Sequence, residues 1–464
     1  MRTRTPRSLL AIATLAAAAC APGDQPATET ADTTAMAQTA GAPLAARTSL
    51  YEVFVRDFSE SGDFQGLIAG LDRIRAAGAE VVWLMPIYPV GEANRKGTLG
   101  SPYSVRDYRA INPRFGDTAA FRALVDAVHA RDMMLILDWV PNHTAWDNVW
   151  ITEHPEYYAR NDAGEMTVPR DREGNLTDWT DVVELDYSSP GLRRAMTDAM
   201  KYWIETFDID GFRVDVAGHI PADFYREAIP ELRAAKDGEL LMLAEWGELW
   251  VHDVGFELSY PWSSYDRLKR VWGGEPAVRF VGEEMTELEQ MPEGGYRMRM
   301  TTNHDETAWD EPPVTLFGGV AGARAAFVAM TLLPGPPLLY NGQEIESPQE
   351  LPLFEREPIE WDRPGADEAR AFYRGVIDLS RTAPSLTTGG LEMVYTDAED
   401  DVISYARDDV VVLVNARDRP VSVTVTDLDL TGARDLLNGG QHGGGPVELP
   451  RYGAVVLQLE GAGG

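Results

Sequence analysis

Cysteine is almost absent: among 464 residues there is one, Cys20, so no intramolecular disulfide can staple the fold. Cations are also scarce. Lys and Arg number 41 against 74 Asp and Glu, a net charge of −33. That balance excludes nucleic acid as a partner, because phosphates must be met by Lys and Arg. It leaves an acidic, well-solvated surface compatible with a neutral substrate such as a sugar. No G-x-G-x-x-G turn follows the first strand-like segment, which counts against a nucleotide-binding open sheet. No internal repeat appears beyond alternating strand and helix patterns.

The N-terminus, MRTRTPRSLLAIATLAAAAC, has a basic start, an apolar run from Leu9 and small residues before Cys20. The run is too short to span a membrane and reads as a signal peptide over residues 1–20. Ala17-Ala18-Ala19-Cys20 resembles a bacterial lipobox, whose cysteine is lipidated; plain secretion with cleavage near Ala19 is the alternative. Ala21 favours the outer membrane over inner-membrane retention. The expected location is therefore outside the cytoplasm: an outer-membrane lipoprotein or periplasmic protein, otherwise secreted, touching membrane only through a lipid anchor. Residues 21–46, rich in Ala, Thr and Pro and without aromatics, read as a flexible tether.

From Leu50 strand-like and helix-like segments alternate: LYEVFVRDF, FQGLIAGLDRIRAAG, VVWLMPI, AAFRALVDAVHARD, MMLILDWV, and onward to EARAFYRGVIDLSRT. Such alternation over about 330 residues predicts a parallel sheet. The length suits an α/β (β/α)8 TIM barrel, which takes ~250 residues plus insertions. A doubly wound open sheet is the runner-up. Residues 47–143 and 191–386 make the two parts of the barrel. The Asp-, Gly- and Trp-rich stretch 144–190, after the third strand, is expected to be a small inserted domain at the barrel rim. Residues 387–464 switch to short alternating strands, VISYARDDVVVLVNA and PVSVTVTDLDL among them, and predict a C-terminal antiparallel β-sandwich. Residues 254–291 give no clear pattern.

The stretch GFRVDVAGH, residues 211–219, places charge inside an apolar strand. Period-two alternation sends Phe212 and Val214 to one face and Arg213 and Asp215 to the other. A buried charge needs a partner, and an ion pair between these two is the plainest reading. Three more strands end in polar residues: LILDWVPNH with Asp138, Asn142 and His143; LMLAEW with Glu245; MTTNHDE with Asn303, His304 and Asp305. Asp215 and Glu245 lie one βα unit apart in sequence and Asp305 two further on, so all can converge at the C-terminal mouth of a barrel, where catalysis is placed. On adjacent strands ~4.8 Å apart, the carboxyls of Asp215 and Glu245 could approach about 5 Å, the separation of a retaining glycosidase.

DWVPNH, GFRVDVAGH, LAEW and TTNHDE resemble the four motif regions of the α-amylase family, retaining barrel enzymes acting on α-glucosidic bonds. SPYSVRDY, VVELDYSSP and PGPPLLYNGQE extend the resemblance over nearly all of residues 50–457. It implies Asp215 as nucleophile, Glu245 as acid and then base, and Asp305 as the third catalytic carboxylate. It implies Tyr103, Asp138, His143, Arg213 and His304 as substrate-binding residues, Arg213 keeping Asp215 ionised and Tyr103 stacking beneath the sugar. The implied partner is an oligo- or polysaccharide α-glucan such as maltodextrin or starch. A transglycosylase or disaccharide isomerase of glucanotransferase, trehalose or sucrose type, and a non-catalytic glucan-binding protein, are the alternatives. The chemistry requires no cofactor. Asn142 matches a structural calcium ligand of many amylases, though SESGDFQG lacks the Asp-rich calcium loop of some members. Gly218-His219 departs from the Lys-His of many endo-acting amylases and argues against a preference for long starch chains. Trp146, Trp150, Trp179 and Trp246 are candidates to stack on sugar rings or to pack.

Overall fold

The computed structural model describes residues 43–460. Eight parallel strands follow one another: β1 (Leu50–Val53), β2 (Val81–Leu84), β3 (Met134–Trp139), β4 (Gly211–Val214), β5 (Leu241–Ala244), β6 (Leu258–Ser259), β7 (Tyr296–Arg297) and β8 (Leu338–Tyr340). Just past β7, the Arg299 amide donates to the Pro336 carbonyl at 2.7 Å, and the Leu338 amide donates to Arg299 at 2.8 Å. This parallel bridge closes the sheet on itself and makes it a barrel. Open doubly wound topology is thereby excluded.

Alternation along each strand builds two cores. Leu50, Val81, Trp83, Ile136, Leu243 and Leu258 fill the lumen, while Val82, Leu84, Leu135, Phe212, Val214 and Met242 face the surrounding helices. The helices carry their own start signals. Asp63 caps Phe64–Ala76, Asp117 caps Thr118–His129, and Ser189, followed by Pro190, caps Pro190–Phe207. Phe64, Leu67, Leu71 and Ile74, spaced by three or four, are the buried stripe of the first of these. The segment without a clear pattern holds β6, only two residues long, and the helices Trp262–Trp272 and Val278–Leu288.

Three expected boundaries move. The last residues assigned to the tether belong to the fold: Leu44–Arg47 is a helical turn, and Ala45 is 2% exposed against Leu50, Val81 and Trp83. Alanine is small enough to seat under the barrel floor, which composition alone does not reveal. Cys20 and most of the tether lie outside the described residues. The inserted unit starts at His143, because His143–Ala145 pairs antiparallel with Val182–Glu184. Residue 387 falls inside the helical turn Pro384–Thr388, and the C-terminal sheet begins at Glu392.

That sheet has five strands and is faced by a two-stranded ribbon, Val421–Val423 with Val447–Leu449. Val402 and Ala406 point into the sandwich, and Ile403 and Tyr405 point to the barrel. Tyr405 donates to the Ala329 carbonyl at 3.1 Å and Arg407 to the Leu332 carbonyl at 3.0 Å, fixing the sandwich on the helix Val320–Thr331.

Candidate active site

The register of β3 and β4 pairs Asp138 with Arg213, so both side chains enter the lumen as neighbours. One step past the ends of β4 and β5 stand Asp215 and Glu245, in line with the pairing of Val214 with Ala244. Arg213, 0% exposed, ties the three carboxylates together. Its Nη1 lies 2.9 Å from Asp138 and 3.0 Å from Asp215, and its Nη2 lies 2.8 Å from Glu245. The guanidinium rests against the rings of Trp83, Tyr103 and Tyr260 at 5.2 to 5.8 Å. The charge in an apolar strand is thus the floor of a cavity, and its partners are three carboxylates from three strands.

That cavity has a volume of about 390 Å³. Tyr103, His143, Asp215, Glu245, His304 and Asp305 all line it. Asp305 reaches it from a different direction. Asn303 accepts from the Glu306 amide at 2.8 Å and starts the helical turn His304–Trp309, which carries Asp305 to the wall. The expected continuation of the seventh strand through Asn303 therefore stops early. Two residues expected to bind substrate do not reach the cavity. Asp138 is fully buried and accepts from Trp83 Nε1, Tyr103 and Arg213 at 2.9 to 3.2 Å. With every neighbour a donor, it orients Tyr103 and Arg213 from behind. Arg213, fully buried, lies behind Asp215 and Glu245.

Charge in the site does not divide as the sequence suggests. Burial pushes Asp215 up, Glu245 adds its repulsion, and Arg213 pulls the other way without winning. Burial likewise raises Glu245, which Arg213 lowers and Asp305 raises. The two carboxyls titrate as a pair that retains a proton. Against the expectation that Arg213 keeps Asp215 ionised stand burial and the neighbouring Glu245, and the one guanidinium is shared among three carboxylates. The histidines diverge. Burial takes His143 down to about 3, so it is neutral, whereas the carboxylates of Asp305 and Glu52 override burial and take His304 up to about 9.

Around the rim, Trp179 lies edge-on to His143 at 5.6 Å, and His219 lies edge-on to Trp246 at 5.7 Å. A Cβ on Gly218 would fall 1.9 Å from Trp246 Cε2, so the glycine in place of the lysine leaves room for an indole. Arg172, from the inserted unit, covers Trp246 at 5.1 Å and pairs with Glu248 at 2.6 Å. Of the other candidate tryptophans, Trp150 packs on Tyr108 and Tyr157, and Trp146 donates to the Thr180 carbonyl. Sequence reasoning missed Glu52, Lys96, Trp309 and Phe354. Lys96 donates to the Asp178 carbonyl at 2.9 Å and joins the second βα loop to the inserted unit. Trp309 and Phe354 form an edge-on pair on the opposite wall.

The Asn142 amide faces His143 Nδ1 at 3.3 Å, and among the described residues no group of three or more His, Cys, Asp or Glu is placed to hold a metal ion. Asp63 of SESGDFQG is occupied as a helix cap.

Residues 38–244 match the model of the alpha-amylase catalytic domain. The crystal structure of an alpha-amylase from Lactobacillus plantarum superposes with a TM-score of 0.77 at 30% identity, over 89% of this chain and 99% of that one. Alpha-amylase MalA of Haloarcula japonica is 28% identical over 422 residues, 85% of this chain and 58% of its own length. An alpha-1,4-glucan:maltose-1-phosphate maltosyltransferase of Burkholderia pseudomallei is 28% identical over 83% of this chain and 36% of its own. A closed barrel, a unit inserted after the third strand and three carboxylates meeting at the strand ends agree with these likenesses: the chain belongs to the alpha-amylase family of glycoside hydrolases.

Proposed function

We propose that the protein is a retaining hydrolase of α-glucosidic bonds in maltodextrin-type α-glucans. The observation that carries the reading is the convergence of Asp215 and Glu245 on one buried guanidinium beneath a cavity that Asp305 also lines. Asp215 and Glu245 follow directly on the paired ends of adjacent strands and both meet Arg213, a closeness that supports the ~5–5.5 Å carboxyl pair of retaining enzymes. In the first step an Asp215 oxygen bonds to the anomeric carbon while Glu245 gives the proton retained by the pair to the departing glycosidic oxygen. In the second, Glu245 takes a proton from water, the water oxygen bonds to the anomeric carbon, and Asp215 leaves. Asp305 holds ring hydroxyls and opposes the charge of the oxocarbenium-like transition state. Neutral His143 and the ring of Tyr103 line the same cavity, where they would meet the same sugar.

A volume of about 390 Å³ has room for sugar rings at the carboxylates. Gly218, with Trp246 packed against it, leaves no place for a lysine contact, which favours short glucans. Transfer to a second glucan is the competing outcome. Incubation with maltoheptaose, followed by NMR, tests both. Early α-anomeric products from wild type and none from Asp215→Asn support retention, and β-anomeric products overturn it. Products longer than the substrate mark transfer. Export and lipidation at Cys20 stand as part of the same proposal, tested by loss of palmitate labelling in Cys20→Ser.

A further inference from the structure

One buried carboxylate has no place in the chemistry above. Glu52, in the middle of β1, pairs in register with Trp83 on one side and Tyr340 on the other, and is 0% exposed. Its Oε1 meets His304 Nδ1 in a short contact. Its Oε2 is buried without a hydrogen-bond partner. Among the described residues no Lys or Arg forms an ion pair with it. A buried glutamate whose single close partner is a cavity-lining histidine needs a reason.

The hydrogens around His304 can be assigned one by one. Asp138 Oδ2 lies 3.0 Å from the Tyr103 hydroxyl, and its other neighbours are the Trp83 N–H and the Arg213 guanidinium. Burial raises Asp138 while Arg213, His304 and Tyr103 pull it down; surrounded by donors, it accepts the only hydrogen Tyr103 has. The Tyr103 oxygen then accepts from His304 Nε2, 2.7 Å away. So Nε2 bears a hydrogen. Asp305 Oδ2, 3.4 Å from the same nitrogen, asks for one too. On the far side of the ring Nδ1 meets Glu52, and a proton must lie in that contact; burial raises Glu52 and His304 pulls it back, while Asp305 and Glu52 take His304 up to about 9, which puts the proton on the ring. The ring is therefore held between acceptors on both nitrogens, with the Tyr103 ring stacked on it at 5.4 Å and Trp83 edge-on at 6.1 Å.

We propose that Glu52 is a positioning residue that keeps His304 an imidazolium, so that a fixed cation with Nε2–H toward Tyr103 and Asp305 stands beside the reacting carboxylates. The proposal rests on the glycosidase reading of this cavity for its kinetic consequence, though not for the protonation state itself. The charged groups facing His304 are Glu52 from β1, Asp305 from its own helical turn, and, across the lumen, Asp138, Arg213 and Glu245. Arg213 is the other cation among them, already shared by three carboxylates. Losing the imidazolium leaves the cluster with a larger net negative charge. Asp215 and Glu245 then hold their protons more tightly, and the nucleophile is weakened. A charge carried by His304 is present at low pH and lost as pH rises through about 9, the alkaline side of the rate profile.

The test is Glu52→Gln, which keeps the acceptor at Nδ1 and removes the charge. The alkaline limb of kcat/KM on maltoheptaose is expected to move down by at least about one pH unit, a tenfold change in the protonation constant. At pH 8 kcat should fall more than KM changes, and Glu52→Asp should recover part of the loss. Imidazole nitrogen NMR reads the state directly, with His304 assigned by its loss in His304→Asn. Both nitrogens should be protonated in wild type at pH 7.5, and one should not be in Glu52→Gln. A neutral His304 in wild type at pH 7.5 overturns the proposal, as does a Glu52→Gln variant with an unmoved alkaline limb. If Glu52→Gln does not fold, the wild-type spectrum still decides. If maltoheptaose is not cleaved at all, the hydrolase reading fails and the spectra alone judge the pair.

Discussion

Replacing Gly218 by alanine adds one methyl group and should disable the leaving-group side of the cavity. The new Cβ would lie 1.9 to 2.2 Å from three atoms of the Trp246 indole. Ordinary carbon contacts begin near ~3.5 Å, so the ring must retreat by about 1.5 Å. It has little room. His219 lies edge-on against it, Arg172 covers it, and its backbone adjoins Glu245, whose carboxyl is held by Arg213 and the Val216 amide. Overpacking of this kind costs about 1–3 kcal/mol in stability. A displacement of about 1 Å near reacting groups costs on the order of 100-fold in rate. We expect kcat/KM on maltotriose to fall by about 10- to 100-fold, with urea unfolding showing a loss of about 1–3 kcal/mol. Gly218→Lys should do no better on long starch chains, because the side chain has nowhere to go while Trp246 is in place. Steady-state kinetics and tryptophan fluorescence measure both effects. A Gly218→Ala variant within twofold of wild type in rate, with unchanged fluorescence, refutes the packing argument.

Asp138→Ala leaves the buried Arg213 short of a partner and should destabilise the protein by about 3–5 kcal/mol in urea unfolding. Chelation with EDTA should leave the thermal midpoint unchanged, since among the described residues no group of three or more His, Cys, Asp or Glu is placed to hold a metal ion; a drop of several degrees would reveal a site built from other oxygens. His143 is held at about 3 by burial, so the unfolded chain takes up its proton first as pH falls. Its contribution to stability is complete above about 6.5, the unfolded value, and erodes toward about 3. His143→Gln should accordingly lose less stability than wild type between pH 6.5 and pH 4, measured by denaturant titration at each pH; equal losses would place His143 in water.

The barrel and the three carboxylates are legible in the sequence for a simple reason. A charge in an apolar strand must meet its partner at a neighbouring strand, and Arg213, Asp138 and Asp215 do so through register alone. The same signal stands in LYEVFVRDF, where Glu52 interrupts an apolar run, but its partner His304 is 252 residues away and no local pattern joins them. Lys96, Trp309 and Phe354 sit on loops, where no periodicity marks a side chain as cavity-facing. Spacing could bring Asp138 to the barrel mouth but could not say that Arg213 and Tyr103 would stand in front of it. The strand β6 is hidden because two residues, Leu258 and Ser259, are too few to show alternation.

Two features of the floor work against stability and meet at the same atoms. Buried ion pairs of this kind can often be replaced by well-packed apolar residues with a gain of about 1–4 kcal/mol, so Arg213 and its carboxylates are not there to hold the barrel together. Val216 sits at φ 35° and ψ 49°, a left-handed conformation that a β-branched side chain resists at about 1–3 kcal/mol. The Val216 amide, in this conformation, donates to Glu245 Oε2 at 2.7 Å, directly after Asp215 in the chain. A structural ion pair would need neither the strain nor the opening to a cavity. Strain and buried charge converge on Asp215 and Glu245, the pair to which the proposed hydrolysis assigns nucleophile and acid. The apolar alternative, more stable and easier to fold, would leave that cavity with nothing to react.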